Sequence, residues 1–288
     1  MTRVIVVTGS ASGIGAATRA YLEHQGCVVI GVDLQDADID ADLASTEGRQ
    51  RMVAEVAAHS PPGIDGIVAN AGLHRSDSMS IRVNYFGAVA TLEGLRPLLR
   101  PQEPRAVLVA SRAVLLPVAD DVLEACLDGD EELAVRLADG RAAHDRGLLY
   151  PTSKRAAARW LRRAAPSADW AGSGIPLNAV APGSVRTAMT AHRSAEEQGR
   201  LLQERPMPLG GQARPEEVAP VIGWFLHPEN TKVSGQVLFV DGAGEALMRV
   251  EDIWAGSLAS PHRQSPTAVA PARKPEQRAS ESAQPAAG

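Results

Sequence analysis

Tyr150 and Lys154 stand four residues apart in Tyr150-Pro151-Thr152-Ser153-Lys154, at the start of a helical stretch. That spacing puts both side chains on one helix face. The chain has only 3 Tyr, and its lysines are Lys154, Lys232 and Lys274. The pair therefore stands out in a chain that otherwise takes its positive charge from Arg. A free tyrosine titrates near ~10 and is a weak base at neutral pH. Lowering that value by about three units takes roughly 4 kcal/mol of preferential stabilisation of the phenolate. An ammonium beside it in a partly dry site supplies charge of the right sign. The pair reads as a proton-transfer device, with Lys154 as its compact cation. The plainer reading is a surface Tyr beside a surface Lys.

A second constellation is Thr8-Gly9-Ser10-Ala11-Ser12-Gly13-Ile14-Gly15, between an apolar run and a helical pattern. Glycines let the backbone approach a pyrophosphate, and the helix start offers free N–H groups and a positive dipole end. A glycine pattern alone also suits an ordinary strand-to-helix turn. Val32-Asp33-Leu34 closes the next apolar run. An acidic residue there accepts hydrogen bonds from the adenosine ribose and repels a 2′-phosphate; the alternative is a solvated strand-end carboxylate. No Arg or Lys adjoins Ser10–Ser12 or directly follows Asp33, so the pattern points to NAD(H) over NADP(H). An oxidised nicotinamide would add a second positive charge near Tyr150.

The elements that must position these groups alternate along the chain. Apolar runs at Arg3–Thr8, Cys27–Val32, Ile64–Ala69, Ala106–Ala110, Pro176–Ala181 and Gln236–Val240 read as buried strands. Helical patterns fall near Ile14–Gln25, Thr46–Ala58, Ile81–Leu99, Thr152–Ala165 and Glu216–Leu226. Such alternation predicts an α/β fold, a doubly wound parallel sheet with helices on both faces, as a single domain over about residues 1–255. Residues 117–147 interrupt the pattern with apolar positions at helical spacing (Val122, Leu123, Cys126 and Leu127, then Leu133 and Leu137), which predicts a helical insert. From residue 261 to 288, Ser, Ala, Pro and Gln dominate without apolar periodicity. That stretch buries too little to offset its ordering entropy and is expected to be a disordered tail.

With 288 residues and 44% apolar content, the chain can bury a large core. A formal net charge of -5 argues against non-specific binding to nucleic acid or to an anionic membrane. Cys27 and Cys126 belong to no CxxC or Cys/His cluster, so no metal site is expected. Few cysteines, no cleavable leader pattern and no apolar run of bilayer length lead us to expect a cytoplasmic protein.

Taken together, these residues resemble the short-chain dehydrogenase/reductase family, from Thr2 to about Val250. The matching motifs are Thr8–Gly15, Asp42-Leu43, Asn70-Ala71-Gly72, Asn84, Ser111, Tyr150–Lys154 and Pro182-Gly183 with Thr187. The resemblance implies a Rossmann-type sheet and direct hydride transfer between a secondary alcohol or ketone and the nicotinamide. It implies that Ser111 binds the substrate oxygen and that Tyr150 exchanges the proton with it. Lys154 would hold the nicotinamide ribose and lower the Tyr150 pKa, and Asn84 would hold a relay water. Thr8, Gly9, Ser12, Gly13, Ile14 and Gly15 would carry the phosphates, and Asp33 the ribose. Asp42 and Leu43 would meet the adenine. Asn70, Ala71 and Gly72 would pass close to the cofactor, and Pro182, Gly183 and Thr187 would contact its nicotinamide end. Read without the family, Ser111 is a strand-end cap and Asn84 a residue that caps or bends its helix.

Within the family, Gly15–Arg19, Val83–Ala88, Asp241-Gly242, Ala246–Arg249 and the long connection from Ser111 to Tyr150 are similar to the bacterial 3α-hydroxysteroid dehydrogenase/carbonyl reductases. In that subgroup the insert covers the surface used for tetramers, which implies a homodimer. Coniferyl-alcohol dehydrogenases are a related subgroup and give the alternative substrate. A dinucleotide sensor without catalysis is a third reading. A substrate loop is expected at about 186–211, where Met189, Leu201, Leu202, Met207 and Leu209 suit a hydrophobic alcohol or ketone, joined by Leu115, Leu116 and Pro117. The plainer reading is that these apolar residues only pack the loop onto the domain, and that Arg186 and His192, candidates for a polar substrate group, are solvated loop residues. A low aromatic content of 3% favours an alicyclic substrate over a stacked aromatic one.

Overall fold

The computed structural model describes residues 2–142, 147–187, 194–204 and 206–250. Seven strands form one sheet: β1 (Val4–Thr8), β2 (Val28–Asp33), β3 (Ile39–Asp40), β4 (Gly66–Ala69), β5 (Arg105–Val109), β6 (Leu177–Pro182) and β7 (Val237–Val240). The order is β3-β2-β1-β4-β5-β6-β7, and every pairing is parallel. The chain starts near the middle, winds outward to β3, then returns across β1 and winds the other way. Crossovers therefore diverge between β1 and β4, and a crevice opens beyond the carboxyl ends of those strands.

The near-continuous apolar strands are explained by cover on both faces. Side chains alternate along each strand: Val6, Ile67, Leu108 and Ala179 join one core cluster, while Ile5, Val7, Val68, Val107, Val109 and Val180 join the other. Helices α1 (Gly13–His24) and α2 (Thr46–His59) match the sequence pattern closely. The expected helix at Ile81–Leu99 is composite: α3 (Met79–Ile81), a π-helical turn Arg82–Gly87, then α4 (Ala88–Leu95). It tightens into a 3₁₀ turn at Arg96–Leu98, where Pro97 cannot continue the hydrogen-bond ladder.

Residues 117–147 contain α5 (Asp120–Leu127) and α6 (Glu131–Arg141). Val122, Leu123 and Cys126 are buried as the spacing predicts, but Leu133 is exposed and Ala134, Val135 and Ala138 face the protein instead. Asp130 caps α6 by accepting from Leu133 N–H, which sets the phase of the helix. Next comes α7 (Leu149–Ala164), which begins three residues before the expected Thr152. Pro151 falls within its first turn, where a missing N–H costs nothing. Helices α8 (Ala195–Glu204), α9 (Pro215–Leu226) and α10 (Gly244–Arg249) complete the set. No helix of the described residues is long and apolar enough to cross a membrane. The stretch 261–288 lies outside the described residues.

Candidate active site

The glycine turn is braced by bonds to its main chain, most of them from short side chains. Gly9 has φ +69°, and a β-carbon there would lie 2.8 Å from Ala71 Cα. Only glycine fits. Gly9 N–H donates to Val32 O at 2.7 Å, which ties the turn to β2. Asn70 Nδ2 donates to Thr8 O (2.9 Å) and Gly9 O (3.2 Å), while Thr8 Oγ1 accepts from the N–H groups of Asn70 and Ala71, both at 3.1 Å. Asn70-Ala71-Gly72 thus pins the turn to the end of β4. Helix α1 starts directly behind it. Its N-cap, Ser12, makes no side-chain cap, and its first turn holds no acidic residue. The positive end of the helix and its first N–H groups are left for an anionic ligand.

Asp33 closes β2 with its carboxylate turned back to the glycine turn. It accepts from Ala11 N–H at 2.9 Å and from Leu34 N–H at 2.7 Å. Asp42 accepts from Ala44 N–H at 2.9 Å, and Leu43 is buried beside it. The cavity wall at this end comprises Val32, Asp33, Leu34, Ala41, Asp42 and Leu43, with no Arg or Lys among them. Arg19 and Arg49, the cations that flank this stretch in sequence, are engaged by Glu23 and Asp38 and by Glu131.

At the other end, Lys154 is buried and its Nζ donates to Val109 O at 2.9 Å. Burial pulls its pKa down to about 8. Ser111 sits just past β5, and its Oγ accepts from Ala113 N–H at 3.1 Å. The serine does cap a short turn, yet that bond uses a lone pair and leaves the O–H donor uncommitted by it. Tyr150 lies in the first turn of α7 with its ring against His74, centroids 4.5 Å apart. Asn84, within the π-helical turn, accepts from Leu73 N–H (2.8 Å) and donates from Nδ2 to Leu73 O (2.9 Å) and Ser153 Oγ (3.0 Å). Ser153 in turn donates to Tyr150 O at 2.8 Å. Gly72 is wedged between this amide and the lysine: a β-carbon there would lie 3.1 Å from Asn84 Oδ1 and 3.2 Å from Lys154 Nζ. The π turn is what aims Asn84 at the loop after β4 instead of along its own helix.

One cavity of about 670 Å³ joins the two ends. Gly9, Ser12, Gly13, Ile14, Asp33, Asp42, Leu43, Asn70, Ala71, Gly72, Ser111, Tyr150, Lys154, Pro182, Gly183 and Thr187 all line it. Thr8, Gly15 and Asn84 do not; they stand behind the wall and are buried. Thr187 Cγ2 lies over Gly13, and Gly183 N–H donates to Val240 O at 3.0 Å. His74, Arg75, Met79, Val83, Arg112 and Met248 also line the cavity; of these only Val83 and Met248 fall in stretches that carry the family likeness. The apolar wall expected from residues 186–211 is not found there among the described residues. Met207 is buried beside Gly183 and Gly242, Leu209 is 88% exposed, and Arg186 is exposed away from the cavity. Met189 and His192, and the side chains of Leu201 and Leu202, lie outside the described residues. Of Leu115, Leu116 and Pro117 only Leu116 reaches the cavity.

The shape and donor set fit a dinucleotide laid across the switch point. Comparison with known proteins agrees. Residues 3–122 match the family model described as short chain dehydrogenase, and residues 134–243 match that described as enoyl-(acyl carrier protein) reductase. The 3-alpha-hydroxysteroid dehydrogenase/carbonyl reductase of Comamonas testosteroni is 35% identical over 253 residues, covering 85% of this chain and 98% of the relative. The chain belongs to the short-chain dehydrogenase family. It is an oxidoreductase of the kind that acts on CH–OH groups with a nicotinamide dinucleotide. The crystal structure of the 3-alpha-hydroxysteroid dehydrogenase from Pseudomonas sp. B-0831, complexed with NADH, superposes on this short-chain dehydrogenase with a TM-score of 0.78 at 40% identity, covering 86% of this chain and 99% of that one. The cis-4-hydroxycyclohexanecarboxylate dehydrogenase of Sinomonas cyclohexanicum is 29% identical, covering 85% and 97% of the two chains.

Proposed function

We propose that this enzyme interconverts a hydrophobic alicyclic secondary alcohol and its ketone with NAD(H), in the manner of a hydroxysteroid dehydrogenase/carbonyl reductase. The observation that carries this reading is the convergence of Ser111, Tyr150 and Lys154 on one cavity whose other end is built for a dinucleotide. NAD is favoured over NADP because Asp33 faces the ribose end and no basic side chain lines it. Met79, Val83, Leu116 and Met248 line the substrate end, which suits an apolar ring system.

When bound, the nicotinamide supplies the hydride chemistry. Ser111 O–H donates to the substrate oxygen and Tyr150 exchanges the proton with it. Lys154, held on Val109 O, favours the phenolate by charge and holds the ribose. The second lone pair of Asn84 Oδ1 takes the relay water. Gly9, Ser12, Gly13 and Ile14 bind phosphate, with Thr8, Asn70, Ala71 and Gly72 holding that turn in place and Gly15, behind the wall, letting helix and turn pack closely. Asp42 and Leu43 border the adenine, while Pro182, Gly183 and Thr187 border the nicotinamide. A homodimer is supported by the insert, since α5 packs on α7 and α6 on the π-helical turn. We place the enzyme in the reducing cytoplasm, consistent with Cys27 and Cys126 as free thiols.

Initial rates followed by NADH absorbance, with 3α-hydroxysteroids, simple alicyclic alcohols and coniferyl alcohol, each with NAD⁺ and NADP⁺, test the reading. Turnover of the alicyclic substrates with NAD⁺ is expected. Preference for coniferyl alcohol would move the assignment to an aryl-allylic alcohol dehydrogenase. Silence across the panel with NADH still bound would favour a sensor.

A further inference from the structure

His74 occupies a loop position that is held with unusual care. On one side of it, the Asn84 side chain grips Leu73 at both N–H (2.8 Å) and C=O (2.9 Å). On the other, Ser80 Oγ accepts from Arg75 N–H at 3.1 Å and donates to Arg75 O at 2.7 Å. Asn84 and Ser80 are both buried. Two reciprocal clamps from the composite helix thus fix the backbone on either side of residue 74, and fully satisfied buried networks of this kind rigidify what they hold. The result is an imidazole in the cavity wall, packed on the Tyr150 ring at 4.5 Å with an interplanar angle of 50°.

We propose that His74 is a positioning residue for Tyr150, holding the phenol ring in the plane from which its hydroxyl reaches the substrate oxygen. The proposal rests on the reading of Tyr150 as the acid–base group. Tyr150 stands in the first turn of α7, and its ring meets the imidazole at the cavity wall. Proton transfer is sensitive to position, and a misplacement of about 1 Å costs on the order of 100-fold in rate. A flat ring stacked at a tilt restricts the phenol ring through contact of faces and edges. A planar apolar ring at position 74 serves the same purpose, whereas a methyl group does not.

The test compares His74→Ala, His74→Leu and His74→Phe in the full-length enzyme, reading kcat and KM for an alicyclic ketone together with NADH affinity by fluorescence titration. With His74→Ala, kcat is expected to fall about 10-fold while NADH affinity stays within about 2-fold. His74→Phe is expected to restore kcat to within about 3-fold of the parent, with His74→Leu between the two. If the alanine variant does not fold, the Leu and Phe pair carries the comparison. An unchanged kcat in His74→Ala would overturn the proposal. So would a His74→Phe enzyme as slow as His74→Ala, or as slow as His74→Leu. Tyr150→Phe assayed alongside separates the two levels. A dead Tyr150→Phe beside an unimpaired His74→Ala removes only the role of His74, and an active Tyr150→Phe removes both readings.

Discussion

At the dinucleotide end of the cavity the chain holds itself through main-chain bonds and short side chains close to the turn: Gly9 on Val32, Asn70 on Thr8 and Gly9, Asp33 on Ala11. At the substrate end the wall is assembled from side chains far apart in sequence, with Met79, Leu116 and Met248 lining the same cavity. Backbone-built sites demand particular conformations, so changes there are felt as loss of the ligand or of the fold. Side-chain-built sites tolerate exchange and shift preference instead.

The widest gap between the two ends is expected at Lys154, which belongs to both. Lys154→Met removes the buried cation and leaves Val109 O without its donor; turnover measured by NADH absorbance is expected to fall about 1,000-fold. Gly9→Ala sharpens the contrast. The left-handed conformation costs about 1–3 kcal/mol for a residue with a β-carbon, and the contact with Ala71 adds to it. NADH affinity should drop at least about 10-fold by fluorescence titration, which follows from that strain. Asp33→Ala removes a carboxylate and is expected to narrow the ratio of kcat/KM for NAD⁺ over NADP⁺ by about 10-fold, the scale of one charge-assisted hydrogen bond; an unchanged ratio would take Asp33 out of the cofactor site. The pH profile is milder. Burial has lowered the Lys154 pKa to about 8, so the free enzyme loses the ammonium as pH rises through that value. In ketone reduction, kcat/KM for NADH reports the free enzyme and should decline above about pH 8; a profile flat to pH 10 would contradict the role given to the ammonium. Met248→Ala, at the side-chain-built end, should change KM for the ketone only about 3-fold, because the residue is 40% exposed, with NADH affinity unaltered.

The same difference in construction explains what was legible in the sequence. The sheet, the glycine turn, Asp33 and the Tyr150–Lys154 pair are local patterns whose period or spacing carries the physics, and the residues expected in the site lie in one cavity wall or directly behind it. β3 escaped because two residues show no period. The π turn escaped because a single extra residue per turn leaves the apolar spacing of the helix nearly intact, although it is what directs Asn84 to Leu73. Leu133 and Leu137 show the helical spacing of α6, but spacing alone does not say which side the protein covers; Ala134, Val135 and Ala138 form the buried face. His74 and Arg112 carry no local signal at all; only the tertiary fold brings them to the cavity. The apolar residues of 186–211 were less legible, since composition does not say which way Met207 and Leu209 face, while Met189 and the side chains of Leu201 and Leu202 lie outside the described residues.

The central claim is that Tyr150 moves the proton while the dinucleotide end stands independently of it. Tyr150→Phe tests it most directly, with kcat measured by NADH absorbance and NADH affinity by fluorescence on the same preparation. Turnover should fall by at least about 1,000-fold with NADH affinity within about 2-fold of the parent, a change too small to register as a lost hydrogen bond. A variant that keeps most of its turnover would contradict the account.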